Sequence, residues 1–175
     1  MTLSPADRSL LRVSEATAQQ FRDYGEGVHI TTLTGRTLDD LRHQAVADRF
    51  KLARHFVDAG DKLLRARPSQ SRSAISRYYY GMYHAMRAVV YYVEKGDDHE
   101  RHTALPKKTP LDFDNRGMWL NNLKDARERR NEADYVPYPL PSKSFRVTAV
   151  ALQQNAHDLL RLSSAYLISK GCSHL

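Results

Sequence analysis

Arg127, Arg130, Asn131 and Asp134 recur at steps of three and four in the charged segment RERRNEADYVPY, residues 127–138. On a helix that spacing puts two guanidinium groups, an amide and a carboxylate along one side. A second row of the same kind runs through Arg77, Tyr80, His84, Arg87 and Tyr91. Guanidinium forks grip phosphate oxygens bidentately. Tyrosine rings stack on bases. Histidine is the side chain whose ordinary pKa lets it carry a proton near neutrality. If the two rows face each other, they suit the binding of a phosphodiester and proton transfer at it. The same residues also read as solvated charges in local ion pairs, each worth a few tenths of a kcal/mol. His84 then reads as a hydrogen-bonded interface histidine.

Other chemistry leaves no comparable mark. The sequence has no glycine-rich phosphate loop, no His-Glu-x-x-His and no Gly-x-Ser-x-Gly. His99 and His102, with Glu100 between them, have the spacing of metal ligands. No further ligand is within reach along the chain, so this stretch reads as surface loop, with no metal and no cofactor expected. The single cysteine, Cys172, cannot form an internal disulfide. A net charge of +7 favours partners that carry phosphate. No apolar run is long enough for a membrane span, and the charged N-terminus lacks the apolar core of a signal peptide. A soluble cytoplasmic protein is expected.

Several helices must position these rows, because no stretch reads as a strand. Ser4 and Pro5 open a helix that is expected to end at Gly25, with GEGVHITTLTGR as a linker or short extended piece. A long helix from Thr37 to about Arg67 carries an apolar stripe of Leu38, Leu41, Ala45, Leu52, Phe56, Ala59 and Leu63. The next carries Ile75, Tyr79, Met82, Met86, Val89 and Val93, beside a small-residue row of Gly81, Ala85 and Ala88 where a neighbour can approach closely. The loop from Asp97 to Pro110 reads as a disordered tip, with cover for a site or contact with RNA as the alternative. A helix from Asp114 to Asp134 buries Trp119, Leu123 and Ala126, and the prolines of VPYPLP then exclude helix. Ser142 caps a final helix through Phe145, Val150, Leu152, Leu159 and Leu160 to about Ile168. The fold class is all-α, a bundle of four to five helices in residues 37–171 with an added N-terminal helix and linker in residues 1–36.

Two of these helices resemble those of the HEPN family. In SRSAISRYYYGMYHAMRAVV, Arg77, Tyr78, Tyr79, His84, Ala85, Arg87 and Ala88 carry the likeness. In ARERRNEADY it is Arg130, Ala133, Asp134 and Tyr135, an Arg-x-x-Ala-Asp-Tyr ending that many members share. The resemblance covers about Thr37 to Lys170. It implies a four- or five-helix bundle that dimerises. It also implies a metal-independent endoribonuclease of toxin–antitoxin or antiviral defence systems, often beside a nucleotidyltransferase-type antitoxin.

The family's catalytic signature is an arginine followed after four to six residues by a histidine. The arginine holds phosphate, and the histidine activates the 2′-hydroxyl or protonates the leaving oxygen. Arg130 and Asn131 match its start, but the fifth residue after Arg130 is Tyr135, a poor base at neutral pH. The same spacing recurs at Arg36/His43, Arg49/His55 and Arg77/His84, so it carries weight only at the right place on a helix.

Three readings follow from the resemblance. In an endoribonuclease, His84 replaces the missing histidine as acid or base, Arg130, Asn131, Asp134 and Tyr135 complete the centre, and Arg77, Tyr80, Arg87 and Arg127 contact RNA. In a non-catalytic module, the arginines bind RNA, nucleotide or a protein partner, or pair with Glu132 and Asp134 at a dimer interface. In a structural dimer scaffold, the N-terminal helix docks a cognate partner.

Overall fold

The computed structural model describes residues 4–175, and every regular element among them is helical. The chain divides into two compact units, Met1–Leu41 and Arg42–Leu175.

The first unit holds α1 (Pro5–Ser14) and α2 (Ala18–Thr34). The single helix expected here is broken at Glu15–Thr17, because each helix brings its own capping box. Ser4 accepts from the Asp7 N–H and Thr17 from the Gln20 N–H, and each partner side chain reaches back to the cap. The helix does not stop at Gly25, and the expected linker is helical as far as Thr34. Two interior glycines cost about 1 kcal/mol each relative to alanine, and the helix tolerates them. The true stop is Gly35, left-handed at φ 65°. Neither helix buries a residue.

The second unit is built on α4 (Ser71–Glu94), of which 14 of 24 residues are buried. A helix apolar on most sides must sit inside its neighbours. It packs against α3 (Leu38–Arg65), α5 (Arg116–Tyr135) and α6 (Arg146–Ser169). The α4 stripe is the expected one, except that Val93 emerges at its end.

On α3 the buried row is Val46, Phe50, Ala53, Val57, Gly60 and Leu64, one position away from the expected stripe. The reason lies in two glycines. A Cβ on Gly81 would stand 2.5 Å from Val57 Cγ2, and one on Gly60 would stand 2.6 Å from the Tyr78 ring. Each helix therefore receives a side chain of the other, and this contact selects the face that α3 turns inward. Gly81 thus opens the close approach expected of the small-residue row.

α5 buries Trp119, Leu123 and Ala126 as expected, and Ala133 as well. Trp119 is 2% exposed, and its Nε1 has no hydrogen-bond partner among the described residues. Ser142 does not cap α6. It begins a short 3-10 turn, Ser142–Phe145, and its Oγ accepts from the Arg72 N–H. α6 buries Ala149, Leu152, Ala156, Leu159, Ser163 and Leu167, while Val150 faces out. Asp61 of α3 ties the helices together, accepting from Tyr78 of α4 at 2.8 Å and from Gln153 of α6 at 2.7 Å.

The α4–α5 loop packs against the rest of the second unit and is not the free tip expected. Leu105, Thr109 and Phe113 are buried, and residues 105–108 form a 3-10 turn. At the start of the loop, Asp97 accepts from Arg87 Nε at 2.8 Å and from Arg49 at 3.1 Å. These bonds hold the Asp97 carboxyl below the usual carboxylate range, the Arg87 bond contributing most. No helix of the described residues is long and apolar enough to cross a membrane.

Candidate functional site

Arg130 is the centre of the site. α5 presents it to the tyrosines of α4, and its side chain is 13% exposed. One terminal nitrogen donates to the Tyr80 hydroxyl at 2.5 Å. The other donates to Asn131 Oδ1 at 2.9 Å and reaches the Tyr135 hydroxyl at 3.4 Å. Its Nε lies 3.4 Å from the Asp134 carboxylate, an ion pair without hydrogen-bond geometry. Asp134 is itself held by the Ser76 hydroxyl. The rings of Tyr79, Tyr80 and Tyr135 lie 5.2–5.7 Å from the guanidinium carbon, within cation–π range. Two rows found by spacing thus meet through the Tyr80–Arg130 bond.

The loop adds a residue that the spacing did not point to. His102 Nδ1 lies 2.6 Å from the Tyr79 hydroxyl, and its ring packs on Tyr83 with centroids 4.3 Å apart. Burial, then the charges of Arg130, Arg127 and Arg87, lower the His102 pKa. The imidazole is therefore neutral at pH 7. Burial pushes the Tyr79 phenol up to about 12 against the opposing charges of Arg130 and Arg127, so its proton stays on. Nε2 of His102 has no protein hydrogen-bond partner among the described residues. Tyr83 fixes the loop nearby by donating to the Glu100 carbonyl.

The His99–Glu100–His102 stretch does not gather its side chains at one point. The Glu100 carboxylate turns to Arg87 at 3.4 Å, and His99 lies 3.7 Å from Glu94. The described residues contain no group of three or more histidine, cysteine or acidic side chains able to hold a metal ion.

The other expected site residues divide. Arg77 is exposed and lies over the Phe56 ring at 5.7 Å, beside Tyr80 on the same ring. Arg87 is committed to Asp97 and Glu100 and anchors the loop, so it is not a free phosphate contact. Tyr91 is covered by Arg49 at 4.5 Å. Glu132 pairs with Arg129 at 3.2 Å. His84 stacks on Phe56 with parallel rings 5.3 Å apart. Burial, then Arg87, Arg49 and His102, push it down to about 4, so it is not poised near neutrality as its ordinary pKa suggested.

Arg127 makes no ion pair among the described residues, and its buried Nε has no partner. It lines a cleft of about 360 Å³ together with His102, Pro106, Lys107, Leu120 and Lys124. A larger cleft of about 600 Å³ opens at Pro68–Ser73 against Pro141–Lys143, but no histidine, tyrosine or carboxylate lines it. Of these two clefts only the one beside Arg127 carries a histidine, His102.

Among known proteins, no family model matches the chain, no curated protein is similar to it, and no solved structure is similar to it. The geometry of the site therefore stands alone.

Proposed function

We propose that this chain is a HEPN-type RNA-binding protein and metal-independent endoribonuclease whose proton carrier is His102. One observation carries the reading: Arg130 from α5, Tyr80 from α4 and His102 from the loop converge on one surface. Arg130 supplies the guanidinium that grips the scissile phosphate, with Asn131 and Tyr80 fixing its plane. Tyr79 orients the imidazole through Nδ1. When Nδ1–H donates to the phenol oxygen, Nε2 presents a lone pair.

That nitrogen takes the proton of a 2′-hydroxyl as its oxygen closes on phosphorus. The P–O5′ bond breaks, the 5′-oxygen takes a proton from water, and the imidazolium later returns its own to water. The products are a 2′,3′-cyclic phosphate and a 5′-hydroxyl. The resemblance in α4 and α5 extends the proposal to a homodimer acting in a toxin–antitoxin or defence system, with a nucleotidyltransferase-type antitoxin as its partner.

The lowered pKa of His102 favours a second reading, because it makes the imidazole a weaker base. On that reading the same surface binds RNA without turnover. Labelled total RNA and tRNA in EDTA separate the two, with Arg130→Ala, His102→Ala and His84→Ala proteins run alongside. Cleavage that survives His84→Ala and disappears in the other two supports His102 as the base. Cleavage undiminished in His102→Ala rules that role out. A mobility shift without cleavage, weakened by Arg130→Ala, supports the binding module.

A further inference from the structure

The cleft beside Arg127 has a composition that the Arg130 centre does not account for. Lys107, Lys124 and Arg127 line it, and no acidic side chain does. None of the three is in an ion pair among the described residues, although other cations of the same unit are: Lys108 with Glu94, Arg129 with Asp125 and Glu132. Its remaining walls are partly apolar, from Pro106 and Leu120, with the amide of Asn121 between. Unpaired cations around a concave apolar surface suit a ligand that combines an anion with a flat, weakly polar body. A nucleotide has that combination.

The cleft is also continuous with the Arg130 centre, because His102 lines one edge of it and bonds Tyr79 beside Arg130. Lys124, Arg127 and Arg130 follow one another at steps of three on α5. At ~1.5 Å of rise per residue, Lys124 and Arg130 stand about 9 Å apart along the helix axis. That is two to three steps of a stacked strand at ~3.4 Å each.

We infer that this cleft is a second nucleotide subsite for single-stranded RNA. Lys107 and Lys124 contact a phosphate two to three steps along the strand from the one held by Arg130, and a base lies against Leu120 and Pro106. The inference rests on the RNA reading of the Arg130 centre and adds the path of the strand and its minimum length. A mononucleotide fills only the Arg130 centre, whereas an oligonucleotide fills both.

The test is fluorescence anisotropy with 5′-labelled single-stranded RNA six nucleotides long, titrated across a salt series, with unlabelled adenosine 3′-monophosphate as competitor. Wild type is compared with the Lys107→Gln/Lys124→Gln double variant and with Arg130→Gln. Both lysines are exposed, so the double variant keeps the fold, as a thermal melt verifies. The subsite requires about a tenfold loss of hexamer affinity in the double variant. It also requires a salt slope shallower by about 0.7, the value for one phosphate contact on a single strand. Competition by the mononucleotide stays unchanged. An unaltered hexamer affinity and salt slope in the double variant, with Arg130→Gln still weakening binding, removes the subsite and leaves the RNA reading intact. No hexamer binding by wild type overturns both.

Discussion

The Tyr79 hydroxyl lies 2.6 Å from His102 Nδ1, so a core tyrosine 2% exposed holds a loop histidine in place. Tyr79→Phe removes this bond and keeps the ring packing. A neutral hydrogen bond contributes about 1 kcal/mol, and the cleavage rate is expected to fall by about fivefold while RNA affinity is unchanged. Single-turnover rates with the mobility shift measured in parallel check this. An undiminished rate means that Tyr79 does not orient the base.

The pH dependence follows from the direction of the His102 shift. A general base works when neutral, and burial with Arg130 and Arg127 lowers its folded pKa below 6.5. Cleavage is therefore expected to be level from neutral pH down past 6.5 and to fall only at more acidic pH. A rate profile in which activity rises as the medium becomes more acidic would show His102 acting as an acid instead.

His84 makes a separate prediction about stability. Its folded pKa, about 4, lies below the ordinary value of 6.5, so the unfolded chain binds the extra proton first between those values. Stability is full above pH 6.5 and declines as pH falls through this window. Urea unfolding midpoints from pH 7 to pH 4 should drop for wild type and drop less for His84→Gln. Equal slopes for the two proteins would mean that other groups dominate.

Asp97 fastens the loop to Arg87 and Arg49. Asp97→Asn removes the charge that both arginines share, and the loop bearing Arg101, Lys107 and Lys108 is expected to open more often. Limited trypsin digestion should cut between α4 and α5 several times faster than in wild type, with the melting temperature changed little. Unchanged digestion would show that Leu105 and Phe113 suffice to hold the loop.

Gly81→Ala places a methyl group against Val57 Cγ2, a separation of 2.5 Å that real contacts do not tolerate. Overpacking of this kind costs about 1–3 kcal/mol, a fall of several degrees in Tm for a chain this size. Gly81→Ala with Val57→Ala should recover part of the loss. A fully additive double variant would argue against the contact as the cause.

Helix identity was legible where one apolar row dominated, as in Ile75, Tyr79, Met82, Met86 and Val89. It was ambiguous on α3, where Phe56 and Leu63 on one row compete with Phe50, Val57 and Leu64 on the next. Residue types alone do not decide between adjacent rows. The fit of Val57 to Gly81 and of Tyr78 to Gly60 does, and it joins positions far apart in the chain. The break between α1 and α2 had a local signal, Thr17 with Gln20 three residues later, which two glycines downstream obscured. At the site, Tyr80 and Arg130 were legible because each lies on a helix face with a regular period. His102 was not, because its place depends on long-range packing against Tyr79 and Tyr83 from a loop without a period.

Trp119, sealed in α5 with its indole nitrogen unpartnered among the described residues, has an optical consequence. It is the sole tryptophan of the chain, so excitation of indole reports from one known place. Its neighbour in sequence, Leu120, forms a wall of the cleft beside Arg127. The native emission is expected at the short-wavelength end of the tryptophan range, shifting red only when water enters the core. The protein thus carries an intrinsic fluorophore one residue from its cleft, silent to solvent quenchers while folded, and its colour distinguishes a variant that has lost its site from one that has lost its fold.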